Sequence, residues 1–205
     1  MAEFALVLGT RNLKKQRELE LLLRPLGIEL KTLVDFPQAI EVEETGNSFE
    51  ENATLKACQQ AGHLDQWVLG EDSGLSVAAL DGAPGIYSAR FSGPQATDAD
   101  NNRLLLERLK DVPLENRGAW YTCHMTLSDP AGKPWINCAG HCHGRILLTE
   151  QGNSGFGYDP LFEIPEYHQT FGQLGDAVKS VLSHRARATR LFVPQLLDVI
   201  KNAAR

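Results

Sequence analysis

The start of the chain restricts the fold more than any other segment. Residues 4–8 read FALVL, an apolar run that is too short to be anything but a strand in the core. A glycine turn follows at residues 9–15, and an amphipathic helix then places leucines at i, i+3, i+4 and i+7: Leu19, Leu22, Leu23 and Leu26. A strand that enters a helix through a glycine turn predicts an α/β protein, and it is the usual geometry of an anion site.

Basic residues crowd the start of this helix. They are Arg11, Lys14, Lys15 and Arg17. Cations at the positive end of a helix dipole are mildly unfavourable unless an anion binds there. The arrangement therefore favours a triphosphate ligand, with a merely solvated basic turn as the alternative. The pattern GxxxxGK[ST] is absent, so this is not a Walker A loop.

Acidic residues follow in two groups. Glu41, Glu43 and Glu44 form the first group, and Glu71 and Asp72 follow a strand predicted at residues 67–70. A capping box at residues 48–51 predicts a helix between the groups. Ligands gather at the carboxyl ends of strands in open α/β sheets, and carboxylates can face a polyphosphate only across a hard cation. We therefore predict a Mg²⁺ site, with a solvated loop and a simple turn as the alternatives.

A third group lies towards the C-terminus. Residues 155–160 read GFGYDP, and residues 183–188 read SHRARA. The glycines on both sides of Phe156 let a ligand approach the main chain, so its ring could stack on a base. Ser183 is predicted to be a helix N-cap, which places His184 and Arg185 in a first turn where the dipole does not favour them. A ligand would explain both cations; the alternative is a surface turn followed by an ordinary basic helix.

Five blocks in order resemble the family of non-canonical purine nucleoside triphosphate pyrophosphatases, which act on dITP, XTP or inosine triphosphate. Any one block is weak, but five in order over nearly the whole chain are specific. The blocks are TxNxxK at residues 10–15, EETG with FxENA at 43–53, EDSGL with GAPGIYSARFSG at 71–93, GFGYDP at 155–160, and KxxxSHRxxA at 179–188.

The resemblance implies hydrolysis of ITP, dITP and XTP to the monophosphate and pyrophosphate, with Mg²⁺. It also implies an α/β fold with a long mixed central sheet, flanking helices and two lobes that enclose an active-site cleft, usually in a homodimer. Asp72 matches the catalytic residue, and Glu44 and Asp72 match the metal ligands. The residues that match substrate contacts are Thr10, Asn12, Lys15, Ser73, Phe156, Gly157, Tyr158, Asp159, Lys179, His184 and Arg185.

Two positions depart from the family pattern. Arg11 replaces a small residue of the phosphate loop, and Gln173 replaces a glutamate. Selectivity is expected at the purine 6-position, where Arg185 could donate to a keto oxygen but not to the amino group of adenine. A mismatched buried polar group can change selectivity by roughly 10⁴-fold.

Three other functions remain open from the sequence. One is a pyrophosphatase that acts on pyrimidine or modified nucleotides. The second is a sensor that binds nucleotides without turnover, and the third is a single-stranded RNA binder that stacks bases on Phe156 and Phe171. The net charge of −6 disfavours nucleic acid as a partner.

Composition is consistent with one domain over residues 1–205, since 42% hydrophobic residues can form a substantial core. No apolar run approaches 18 residues and no signal-like segment opens the chain, so we expect a cytoplasmic protein without a membrane segment. A final core-facing helix is predicted over residues 185–203, with Pro194 kinking it or starting a new helix.

The four cysteines show no CxxC spacing, although CAGHCH at residues 138–143 resembles a metal tract. Residues 134–146 are predicted to form a strand paired with residues 118–127. Four strand steps would separate Cys138 from Cys142 by about 13 Å, too far for one zinc ion or a disulfide. His141 and His143 would share a face of this strand.

Overall fold

The computed structural model describes residues 4–203, which form five α-helices and a seven-stranded sheet. The predicted strand at the start of the chain is confirmed, one residue shorter than expected. The strands are β1 (Ala5–Leu8), β2 (Glu29–Thr32), β3 (Val68–Val77), β4 (Gly118–Ser128), β5 (Pro134–Ile146), β6 (Phe162–Ile164) and β7 (Gln169–Thr170). The helices are α1 (Leu13–Leu23), α2 (Phe49–Leu64), α3 (Asp98–Arg108), α4 (Phe171–Leu182) and α5 (His184–Ala203).

The sheet is mixed, with strand order β2-β1-β3-β4-β5-β6-β7. β1 pairs in parallel with β2 and β3, whereas β6 pairs antiparallel with β5 and β7. The α/β class with a long mixed sheet is therefore confirmed. The predicted hairpin is also confirmed, since β4 and β5 are neighbours joined by a turn at residues 129–133.

The chain divides into two compact units, and β3, β4 and β5 each pass from one unit to the other. Unit 1 contains residues 4–72, 123–140 and 185–203, and unit 2 contains residues 73–122 and 141–184. Two units agree with the two expected lobes. The cleft and the assignment of the whole chain as a single domain stay predictions.

The core of unit 1 joins α1 and α5 to the sheet. Leu19 and Leu23 of α1 are buried with Phe192 and Leu196 of α5, as their spacing predicted. The predicted final helix is confirmed, and it continues through Pro194 as one element. The alternative that Pro194 starts a new helix is therefore wrong, because buried residues on both sides of the proline hold the two halves against the same core.

Helix α2 lies unusually close to β3. A Cβ on Gly70 would stand 2.3 Å from the carbonyl oxygen of Ala53 and 2.6 Å from the amide nitrogen of Ala57, so only glycine allows this approach. Ser48 caps α2 by accepting from Glu51 N–H, as predicted. The Glu51 carboxylate, however, accepts from Asn47 N–H rather than from the cap residue, so the second half of the predicted capping box is wrong.

The core of unit 2 is built from strand residues and aromatic rings. Phe162 packs against Tyr121 at 4.7 Å and against Phe171 at 5.6 Å between ring centroids. Leu105 of α3 and Leu109, the C-cap residue that follows this helix, are buried in the same cluster. Helices α3 and α4 are therefore anchored to the sheet of unit 2.

Strand β5 is unbroken across Cys138 and Cys142, which is the condition on which their predicted separation rests. Neither cysteine forms a disulfide, and burial raises the pKa of Cys138 to about 11. Within residues 4–203, the helices include none that is both long and apolar enough to cross a membrane.

Candidate active site

The loop between β1 and α1 is held by its own side chains. Asn12 is the N-cap of α1, and its Oδ1 accepts from the amides of Lys14 at 3.0 Å and Lys15 at 3.2 Å. Thr10 Oγ1 accepts from Asn12 N–H at 3.2 Å. Thr10 and Asn12 thus shape the predicted phosphate loop, and Lys15 carries its charge into the interior, where Nζ lies 3.4 Å from Glu71 Oε2.

The two neighbouring carboxylates lie in the middle of β3. The prediction that they end the strand is wrong, because β3 continues to Val77, and its residues Leu75 and Val77 are buried in the core of unit 2. The shorter strand β1 ends at Leu8, which pairs with Leu69. Glu71 and Asp72 therefore lie just beyond the carboxyl end of β1, next to the phosphate loop, as the rule for ligand sites in open sheets requires.

Lys56 of α2 joins the two predicted metal ligands. Its Nζ donates to Asp72 Oδ1 at 2.8 Å and to Glu44 Oε1 at 3.1 Å. Asn52, one turn earlier on α2, donates to the other Asp72 oxygen at 3.4 Å. The sequence analysis missed both residues, although their i, i+4 spacing in a helix predicted to begin after Ser48 places them on one face.

Asp72 has the electrostatics of a base. Burial raises its pKa above the ordinary aspartate value, and the nearby charges of Lys56 and Lys15 partly oppose that rise. Burial lowers the pKa of Lys56, but Asp72 and Glu44 together outweigh it, so the net shift is upwards and the ammonium stays charged. A carboxylate with a raised pKa is a stronger base than an ordinary aspartate, which suits it to accept a proton.

Glu71 has a different environment, since its carboxylate is fully buried among other side chains of the protein. It accepts from Arg185 Nη2 at 3.0 Å and from the thiol of Cys123 at 3.4 Å. Arg185 is 1% exposed and also pairs with Glu18, and these two carboxylates raise its pKa despite burial. The geometry therefore gives Glu71 a structural role and leaves Asp72 as the candidate base.

In unit 2, the turn at residues 155–159, which we call the Phe156 turn, is built around the Asp159 carboxylate. It accepts from Phe156 N–H at 2.8 Å and from Lys179 Nζ at 2.6 Å. The same ammonium lies 4.2 Å from the centroid of the Phe156 ring, a cation–π contact. Gly155 has φ +76°, and a Cβ there would stand 2.1 Å from Asp159, so glycine is required.

Two further residues of unit 2 that were predicted to contact substrate, Tyr158 and His184, contact other groups of the protein in this structure. The Tyr158 hydroxyl donates to the carbonyl of Ser88 at 2.8 Å, and burial raises its pKa. The His184 ring stacks on Tyr121 with centroids 4.7 Å apart and planes 11° apart. Ser183 precedes α5 in extended conformation, as an N-cap residue does.

The predicted site residues therefore form two groups. Those of unit 1 are Thr10, Asn12, Lys15, Glu44, Asp72 and Arg185, and those of unit 2 are Ser73, Phe156, Gly157, Tyr158, Asp159, Lys179 and His184. Arg185 belongs with the carboxylates rather than with the Phe156 turn. Its role in base recognition stays a prediction, since its guanidinium already contacts Glu71 and Glu18.

Comparison with known proteins shows the family to which the chain belongs. The model of the Ham1 family matches residues 6–195. The chain belongs to the Ham1 family. The resemblance based on five sequence blocks is thereby confirmed.

Individual Ham1 relatives are similar over nearly their full length. A protein of Rhodopirellula baltica named dITP/XTP pyrophosphatase is 54% identical over 199 residues, 97% of this chain and 96% of the relative. The solved HAM1 protein of Coxiella burnetii is 35% identical with a TM-score of 0.87, covering 95% of this chain and 99% of that one. The Ham1 protein of Staphylococcus aureus is 34% identical with a TM-score of 0.84, covering 96% and 99%.

The structure explains both departures from the expected Ham1 pattern. Arg11 donates to the carbonyl of Ala39 at 2.9 Å, so its guanidinium ties the phosphate loop to the segment that leads to Glu44. Gln173 accepts from Thr170 N–H at 3.0 Å and completes the capping box of α4. Glutamate and glutamine serve equally at that position of a capping box, so the exchange preserves the local structure.

The donor set fits the predicted metal. The carboxylates of Glu44 and Asp72 converge on one cationic group, the ammonium of Lys56. Among residues 4–203, no group of three or more histidine, cysteine, aspartate or glutamate side chains could hold a metal ion. Two hard carboxylates match Mg²⁺, which is usually held by one or two carboxylates together with water and substrate phosphates.

Proposed function

We propose that this protein hydrolyses the non-canonical purine nucleoside triphosphates ITP, dITP and XTP to the monophosphate and pyrophosphate. The observation that carries the proposal is the Asp72 carboxylate, buried beside Lys15 and Lys56 at the carboxyl end of β1. The name of the Rhodopirellula baltica relative supports the same activity. The reaction would remove these nucleotides from the pool before they are incorporated into DNA or RNA.

Asp72 acts as the general base in this proposal. It takes a proton from water as the water oxygen attacks the α-phosphorus, and the bond to the pyrophosphate oxygen breaks on the opposite side. Its raised pKa brings its basicity closer to that needed near neutral pH. Asn52 and Lys56 hold one carboxylate oxygen each, so the orientation of the base is set before substrate binds.

The cations of unit 1 balance the charge of the substrate. Lys15 belongs to the phosphate loop, and Lys56 lies between the two carboxylates. We assign Mg²⁺ to Glu44 and Asp72, where it would neutralise charge on the phosphates and the leaving pyrophosphate. With a metal held by these carboxylates, Lys56, which contacts both of them in this structure, would donate to phosphate oxygens.

Base recognition is assigned to the Phe156 turn. The ring of Phe156, fixed by Asp159 and Lys179, provides a stacking surface for the purine. Ser73, Gly157, Tyr158, His184 and Arg185 complete the proposed substrate contacts. We assign discrimination at the purine 6-position to Arg185, whose guanidinium would donate to a 6-keto oxygen.

The family resemblance also implies a cytoplasmic homodimer, and both properties are part of this proposal. Light scattering coupled to size exclusion tests the dimer, because it measures mass independently of shape. The expected mass is twice the 22.6 kDa of the chain. A mass equal to one chain at micromolar concentration contradicts the dimer.

A substrate panel tests the activity. Release of pyrophosphate and monophosphate is measured from ITP, dITP, XTP, ATP, GTP and dTTP, with Mg²⁺ or with EDTA. We expect Mg²⁺-dependent turnover of the first three, far above the others, and its loss in Asp72→Asn. Preferred turnover of dTTP identifies the pyrimidine-directed alternative, and ITP binding without turnover identifies the nucleotide sensor.

A further inference from the structure

One residue of the Phe156 turn is held through both of its peptide groups. Gly157 N–H donates to Asp98 Oδ2 at 3.0 Å, and the Gly157 carbonyl accepts from Asn102 Nδ2 at 3.2 Å. Asp98 and Asn102 are four residues apart on α3, so they lie one above the other on the same face of the helix. We call this pair the α3 clamp.

The clamp holds Gly157 in a conformation that few residues adopt. Its φ is +62°, in the left-handed region, and a Cβ there would meet nothing within 4 Å. Glycine is therefore needed for the backbone angle and not for space. A left-handed residue directly after Phe156 redirects the chain, and the two hydrogen bonds to α3 keep that change of direction in place.

Helix α3 is itself a rigid support. Thr97 and Asp100 form a complete capping box at its start. The amide of Asn101 accepts from Ser92 N–H at 2.9 Å and donates to the carbonyl of Ala89 at 3.2 Å. Leu105, near the C-terminal end of α3, is buried in the core of unit 2. The helix is therefore fixed at its first turn, through Asn101 and near its last turn.

Phe156 is thus fixed from two directions. On one side Asp159 accepts its N–H, and on the other the α3 clamp holds the residue that follows it. Asn102 is 3% exposed, so its hydrogen bond to Gly157 is shielded from water. A stacking ring gains most when it is already oriented before the ligand arrives.

We propose that Asp98 and Asn102 are positioning residues that set the orientation of Phe156 for purine recognition. The inference rests on the proposed function, in which the Phe156 turn binds the base. The clamp lies entirely in unit 2, whereas the proposed general base, Asp72, and the predicted phosphate loop lie in unit 1. Loosening the clamp therefore weakens binding of the purine more than it slows the chemical step.

Steady-state kinetics with ITP test this role. In Asp98→Ala, a charge-assisted hydrogen bond to Gly157 is lost, and we expect KM to rise about tenfold with kcat within about threefold of wild type. Asp98→Asn keeps an acceptor for Gly157 N–H and should recover most of the affinity. Asn102→Leu removes the donor at similar volume and should also raise KM.

Asp100→Ala is the matched control. Asp100 lies in the same first turn of α3 and completes its capping box, but it does not contact Gly157. Its loss weakens the capping box of α3 without opening the clamp. Unchanged KM in Asp98→Ala, or an equal rise of KM in Asp100→Ala, overturns the proposal.

Hydrogen–deuterium exchange of residues 153–159 gives a readout that does not depend on turnover. We expect faster exchange at Gly157 in Asp98→Ala than in Asp100→Ala or wild type. If wild type shows no turnover, the proposed function fails and the positioning role fails with it, while the exchange rates still decide whether the clamp exists. Wild-type turnover with equal exchange in all variants overturns the clamp alone.

Discussion

Glu71 and Asp72 are neighbours to which we assign different roles, structural for Glu71 and catalytic for Asp72, and Glu71→Gln tests that difference. The Glu71 side chain is fully buried and contacts Arg185, Lys15 and Cys123. Glutamine has the same shape but no charge. Arg185, which is also fully buried, then keeps only one of its two carboxylate partners, Glu18. Removing one partner of a buried ion pair costs about 3–5 kcal/mol, because the other charge remains desolvated.

Thermal unfolding followed by circular dichroism measures this cost. For a chain of this size, 1 kcal/mol corresponds to roughly 2–4 °C in Tm, so Glu71→Gln should lower Tm by about 6–20 °C. Asp72→Asn is the matched control, since it makes the same chemical change one residue later. Its Tm in EDTA should equal or exceed that of wild type, because the raised pKa of Asp72 means that its ionised form is disfavoured in the folded protein.

The pH dependence follows from the same shift. The folded protein binds the Asp72 proton more tightly than the unfolded chain does. As pH falls from the folded pKa towards the ordinary aspartate value of about 3.9, wild type should therefore become more stable relative to Asp72→Asn. Below about pH 3.9, this increase in the relative stability of wild type is complete.

Activity separates the two carboxylates further. Loss of the base in Asp72→Asn should reduce kcat by about 10²–10⁴-fold, whereas Glu71→Gln, assayed below its Tm, should lose less. A Glu71→Gln variant within about 1 kcal/mol of wild-type stability refutes the assignment of Glu71 as the buried structural partner. So does a larger loss of kcat in Glu71→Gln than in Asp72→Asn.

Three further predictions concern the groups around the site. Lys56→Met should lower kcat and move the acidic limb of the pH–rate profile to higher pH, because Lys56 lowers the pKa of Asp72; an unmoved limb contradicts this. Gly70→Ala should destabilise the protein by about 1–3 kcal/mol in urea unfolding and reduce kcat, since α2 must move away from β3. Lys179→Met should cost about 3–5 kcal/mol, measured the same way, because it leaves Asp159 buried without its cation, and a neutral result refutes that ion pair.

Much of the fold could be predicted because it depends on local patterns. The apolar run before Gly9, the leucine spacing of α1 and the turn between β4 and β5 each specify one element. Helix α5 was also predicted, but the sequence left open whether Pro194 kinks it or starts a new helix. Continuation there depends on burial in a core whose other residues come from α1 and the sheet.

The site was predicted less completely because its key contacts join distant segments. The sequence identified Asp72 and Glu44, but it did not identify Lys56 as the group between them. Only the close approach of α2 to Gly70 places that ammonium beside β3. Likewise, no local pattern shows that Arg185 meets Glu71, since 114 positions separate the two residues.

Hydrolysis of ITP in H₂¹⁸O tests the central proposal most directly. Attack of water on the α-phosphorus, with Asp72 as the base, places one ¹⁸O atom in the inosine monophosphate and none in the pyrophosphate. Mass spectrometry of both products after a single turnover distinguishes the two positions. Label in the pyrophosphate, or release of orthophosphate in place of pyrophosphate, contradicts the proposed reaction.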